Sequence, residues 1–170
     1  GLRRGNPLFQ VKTLIEKHNV IVFPVDHEKY HRISKQIMQT VIEQDIVIDF
    51  VQYSVDEFFG VLPLEDPNEL RLYIQKVKDA IEQTTKIPVS CGGSQTYTLA
   101  KVATYFAKRY NGYKGICVLT QEQRKKALSR IPIADVWGIG RAHQKKLALY
   151  GELSAYDFMN FAENFVRQML

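Results

Sequence analysis

Ile46-Val47-Ile48-Asp49-Phe50-Val51-Gln52-Tyr53-Ser54-Val55-Asp56-Glu57-Phe58-Phe59-Gly60-Val61-Leu62 is the stretch on which the fold turns. Two β-branched and aromatic runs, Ile46 to Tyr53 and Phe58 to Leu62, are parted by only Ser54 to Glu57, which predicts a hairpin. On both sides the apolar spacing becomes helical. Upstream, Asp26 can cap a helix that carries Ile33, Ile37, Met38, Val41 and Ile42 on one face and runs to about Gln44. Before it, Val20 to Phe23 reads as a short strand ended by Pro24, and Pro7 to His18 as a helix through Leu8, Val11, Leu14 and Ile15. Downstream, Pro67 opens a helix with Leu70, Tyr73, Ile74, Val77 and Ile81 on its inner face, and Ile87 to Cys91 supplies another strand. The order β-α-β-β-α-β is ferredoxin-like, a mixed sheet with both helices on one face. A helix from about Ser94 to Arg109, a short strand at Gly115 to Leu119 and a wholly helical tail from Thr120 complete an α+β expectation.

The 170 residues, 45% of them apolar, suffice for one good core and a small satellite unit. The net charge of +5 is unevenly spread, because residues 101–146 hold eleven basic and two acidic side chains and the remainder is net acidic. That region is a candidate phosphate-binding surface, although a merely solvated basic face has the same composition. Cys91 and Cys117 each sit in a short apolar run, where a thiol behaves as a small core hydrophobe, so neither a disulfide nor a metal is assigned to them. There is no leader-like start and no apolar run near the eighteen residues that span a bilayer, which leads us to expect a soluble, cytoplasmic protein with no membrane partner.

Three constellations could carry chemistry. Asp56 and Glu57 are adjacent acids flanked by Tyr53, Val55, Phe58 and Phe59, a setting in which two carboxylates call for a neutralising partner. A divalent metal meets that need with hard oxygen ligands, whereas the plainer alternative is an exposed acidic hairpin tip. Val136-Trp137-Gly138-Ile139-Gly140-Arg141, followed by Lys145-Lys146-Leu147, reads as a helix-hairpin-helix. Two glycines would allow a tight turn whose N–H groups face a phosphate, binding the DNA backbone without reading sequence; a plain helix-helix corner is the alternative. Lys101 and Lys108, seven residues apart on one helix face, could hold a triphosphate or simply be solvated.

His27-Glu28-Lys29-Tyr30-His31 also matches the H-E-x-x-H zinc-hydrolase pattern. It lies in the first turn of its helix and has no evident third ligand, Glu43 being a candidate by position alone. Zinc hydrolysis is therefore the most distant of the readings.

Taken in order, Tyr53-Ser54-Val55-Asp56-Glu57-Phe58-Phe59, Ile87-Pro88-Val89-Ser90 through Thr98-Leu99-Ala100-Lys101, and Asp135-Val136-Trp137-Gly138-Ile139-Gly140-Arg141 resemble successive landmarks of the Y-family translesion DNA polymerases, in their bacterial UmuC-like branch. The opening, Gly1 to Phe9, is similar to the end of that family's fingers, so the resemblance covers nearly the whole chain. It implies a fingers remnant over 1–24, a palm over 25–114 and a helical thumb with the helix-hairpin-helix over 115–170.

By the same resemblance Asp56 and Glu57 are catalytic carboxylates that hold magnesium, and Lys108 contacts the incoming nucleotide triphosphate. Gly138, Ile139, Gly140, Arg141 and Lys145 grip the DNA backbone. The implied reaction is nucleotidyl transfer onto a primer 3′ hydroxyl in error-prone lesion bypass during DNA repair, with two magnesium ions. The implied partners are primer-template DNA and dNTP, with accessory subunits or a sliding clamp for the full-length protein, near the bacterial nucleoid. The family's first metal-binding aspartate and its triphosphate-binding Tyr and Arg would precede Gly1, so the chain is expected to be inactive alone. Tyr97 stands where the family often has lysine, and Phe58-Phe59-Gly60 replaces its usual Ala-Phe-x-Asp run. The alternative of another class is a non-catalytic module that binds the DNA backbone.

Overall fold

A computed structural model describes residues 1–3, 5–44 and 46–169. The hairpin forms as its sequence dictates: β1 (Asp49–Gln52) pairs antiparallel with β2 (Phe58–Val61), Gln52 facing Phe58 and Asp49 facing Val61. Two long helices back it. α2 (His27–Ile42) begins where Asp26 accepts the Lys29 N–H at 2.9 Å, and α3 (Pro67–Thr85) begins at Asp66, which accepts from Asn68 and Glu69. Val41 of α2 and Val77 and Ile81 of α3 form one buried cluster, against which Phe50 and Phe58 of the hairpin pack. Phe50 and Phe58 stack at 5.1 Å across the strands.

A second, separate sheet joins β3 (Cys91–Gly93) in parallel to β4 (Ile116–Val118), with Cys91 facing Ile116. It lies between α3 and α4 (Tyr97–Arg109), and its two glycines explain how tightly. A Cβ on Gly92 would lie 2.3 Å from the Ala100 carbonyl oxygen of α4, and one on Gly93 would lie 2.8 Å from Ile74 of α3. Both faces of β3 thus need the absence of a side chain. Val102, Ala103 and Phe106 of α4 continue into a larger cluster with Cys117, Leu119, Leu128, Ile131 and Ala155.

The expected mixed sheet is therefore divided into two two-stranded sheets that share no ladder among the described residues. Val20 to Phe23 forms no strand and joins neither sheet of the described residues; Ile21 and Phe23 are 75% and 79% exposed. The expected domain boundary lies at 114/115. β4 follows it, yet pairs with β3 and buries Ile116 and Cys117 with the preceding elements, so the sheet ends at Val118. Beyond it the chain is helical, as expected, but in short pieces: α5 (Gln121–Leu128), α6 (Arg141–Leu147), α7 (Ala155–Met159) and α8 (Glu163–Met169), with single 3-10 turns at Ile133–Asp135 and Ala148–Tyr150. α1 (Leu8–Lys17) precedes all of this and buries none of its residues.

Candidate functional site

The acidic pair occupies the tip of the β1–β2 hairpin, where the N–H groups of Tyr53 and Ser54 both donate to the Glu57 carbonyl at 3.0 Å. This short closure turns the two carboxylates to different neighbours. Asp56 is exposed and its Oδ1 accepts from the Ser54 hydroxyl at 2.7 Å. Glu57 is half-buried, and its Oε1 receives the Lys101 ammonium from α4 at 2.6 Å. Lys101 also lies 5.6 Å from the Tyr53 ring centre, on a face that attracts cations.

Two adjacent carboxylates are the right donor chemistry for a hard divalent cation. No group of three or more His, Cys, Asp or Glu side chains converges among the described residues, so no third such ligand stands with this pair there. His27, Glu28 and His31 are exposed on the first turns of α2 with no third ligand assembled beside them, so the ligand set that zinc hydrolysis needs is absent among the described residues.

Lys108 lies two turns beyond Lys101, about 10 Å along the α4 axis, and is exposed. Of the two lysines, Lys101 is the one that reaches Glu57. The motif signal for it was the Thr98-Leu99-Ala100-Lys101 run, but its pairing with Glu57 spans 44 residues and has no local signature.

The Val136–Arg141 hairpin is a tight turn closed by the Ile139 N–H on the Val136 carbonyl at 3.0 Å, and the Gln144 side chain fastens it by donating to Ala134 and Ile139 carbonyls. Gly138 sits at φ +97°, a conformation that favours glycine, whereas Gly140 has φ −79° and no such need. Nothing lies within 4 Å of a Cβ built on either, so the turn's backbone is open on that side. Arg141 and Lys145 are exposed on α6.

The unforeseen feature joins the two constellations. Trp137 of the hairpin meets Tyr53 edge-on at 5.2 Å and Phe59 at 5.5 Å, and Phe59 in turn contacts Tyr97 at 4.5 Å. The glycine turn and the acidic tip are thus brought to one side of the molecule.

Residues 1–105 match the profile of the impB/mucB/samB family. The chain is 28% identical to the MucB protein of Escherichia coli over 170 residues, covering 99% of this chain and 40% of that protein. It is 31% identical to the UmuC protein of Salmonella typhimurium over 160 residues, covering 92% of this chain and 37% of the relative. It therefore spans about two fifths of the length of these relatives. Among solved structures, a DinB-family error-prone DNA polymerase from Sulfolobus solfataricus superposes with a TM-score of 0.80 at 20% identity, covering 99% of this chain and 49% of that one. That likeness concerns the fold.

Proposed function

This chain belongs to the impB/mucB/samB family of Y-family DNA polymerases, and from that premise we propose that it is the palm-and-thumb part of an error-prone lesion-bypass polymerase. The observation that carries the reading is the gathering of Asp56, Glu57 and Lys101 at one tip beside an open glycine turn. On this reading the palm extends through β4 and the thumb follows it. Primer-template DNA and a deoxynucleoside triphosphate are the substrates, and accessory subunits belong to the longer protein.

Asp56 and Glu57 would hold divalent metal, in this family magnesium, together with ligands beyond the described set. When bound, such ions activate the primer hydroxyl and steady the leaving pyrophosphate. The chain's own residues have simpler tasks. Ser54 orients Asp56 by donating to its Oδ1, and Lys101 keeps Glu57 neutralised and pinned. Gly138 lets the backbone approach a phosphate closely, and Arg141 and Lys145 add positive charge without selecting a base sequence. Lys108, on the exposed end of α4, would meet the triphosphate only if that group extends along the helix.

The test joins these residues behind the N-terminal aspartate strand and fingers of a MucB relative and measures magnesium-dependent primer extension. The expected result is extension that Asp56→Ala and Glu57→Ala abolish. The second reading, a backbone-binding module without chemistry, draws on the ion pair that already engages Glu57. Duplex binding with no extension, indifferent to metal and nucleotide, would favour it.

A further inference from the structure

We propose that Trp137 is a positioning residue that seats the thumb's glycine turn on the palm, fixing the distance between the phosphate grip and the acidic tip. The inference rests on the reading of that turn as a DNA-backbone grip.

The geometry that carries it is a chain of ring contacts from the turn to the β1–β2 hairpin. Trp137 is the sole tryptophan, and its ring spans from the turn to two palm residues on different strands' ends, Tyr53 after β1 and Phe59 in β2. Tyr53 meets Phe59 at 6.2 Å and Phe59 meets Tyr97 at 4.5 Å, so the seat is a cluster of rings and not a single contact. Lys101 lies against Tyr53 while bonding Glu57, which ties the seat to the carboxylates. On the other flank the turn is held by the Arg109–Asp135 ion pair at 3.6 Å, both side chains about half exposed and so weakly restraining. Val136, at the start of the turn, packs against the core cluster around α4, while Trp137 is the turn residue whose ring contacts reach the β1–β2 hairpin and Gly138 and Gly140 face open space.

Edge-on and tilted ring pairs add modest energy beyond burial, but they fix orientation, and a grip displaced by even 1 Å loses its register with the tip. Trp137 thus acts through Tyr53 and Phe59.

The experiment measures binding of a fluorescein-labelled primer-template duplex to the whole chain at one fixed salt concentration, together with Trp137 emission. W137A should weaken binding about five- to tenfold, W137F should restore it to within about twofold, and Y53L should reproduce the loss. The W137A/Y53L double variant should bind no worse than either single variant, because one seat is lost once. Y53L should also red-shift the emission of Trp137. Losses that multiply in the double variant, or W137A binding equal to that of the unaltered chain, would overturn the proposal while leaving the functional reading in place. No duplex binding by the unaltered chain would remove both. Should W137A not fold, Y53L decides alone: weaker binding with a red-shifted emission supports the seat, and unchanged values reject it.

Discussion

Glu57 and Lys101 are 44 residues apart in sequence and 2.6 Å apart in the fold, a pairing created by the packing of α4 beside the hairpin. Both side chains keep part of their surface in water, at 34% and 22%, so solvent screens the pair. K101M should therefore shift stability by less than about 1 kcal/mol in urea unfolding, even though it frees Glu57. A loss of several kcal/mol would mean that the pair is a structural support. Glu82 behaves differently. Bonding from Lys78, helped by the Val89 N–H, holds its carboxyl below the ordinary glutamate range. Its stabilisation is complete above that range and fades as pH falls through the lowered value. The stability gap between the native chain and E82Q should be full near neutrality and close on acidification; a gap that widens in acid would reverse the assignment. Burial pushes the Cys91 thiol up to about 11, leaving about 0.1% thiolate at pH 8, and burial raises Cys117 as well. Neither should react with iodoacetamide in the folded chain at anything near the free-cysteine rate.

At the scale of elements, the glycines sort into those that the backbone needs and those that packing needs. Gly138, at φ +97° with no neighbour near its Cβ, should cost about 1 kcal/mol when changed to alanine, while Gly140→Ala should be close to neutral. Gly92 has an ordinary φ but no room, since its Cβ would meet Ala100 and Thr104 backbone atoms at 2.3 and 2.4 Å. Gly92→Ala should therefore prise α4 off β3 and cost about 3 kcal/mol or more, read as a lower urea midpoint. Sequence spacing placed both glycines of the turn on the same footing, because φ is not written in a Gly-x-Gly pattern. The hairpin, the cap at Asp26 and the acidic tip were legible for the opposite reason, being set by residues within a few positions of one another. The division into two sheets was not, since strand pairing depends on which distant edges meet. Nor was the Trp137 seat, whose partners lie some 80 residues upstream.

Over the whole molecule, burial is concentrated from α2 onward. The two buried clusters draw on α2, α3, α4, β4, α5 and α7, and the described residues among the first 24 contribute to neither. α1 is amphipathic in sequence yet none of its residues is fully buried; Val11, Leu14 and Ile15 are half-buried, Leu8 and Phe9 are 60% and 79% exposed, and the Val20–Phe23 run is exposed. Apolar residues left in water add no transfer free energy to folding, while ordering their backbone costs about 1 kcal/mol or more per residue. Removing residues 1–24 should hence leave the urea midpoint and the slope of the transition unchanged, with stability altered by less than about 0.5 kcal/mol. An unchanged slope is the sharper criterion, because it reports the surface buried on folding and not only the net balance. A clear fall in both would mean that the first helix packs on the core in solution, and the apolar residues of its face, Leu14 and Ile15 foremost, would then be the contacts to replace next.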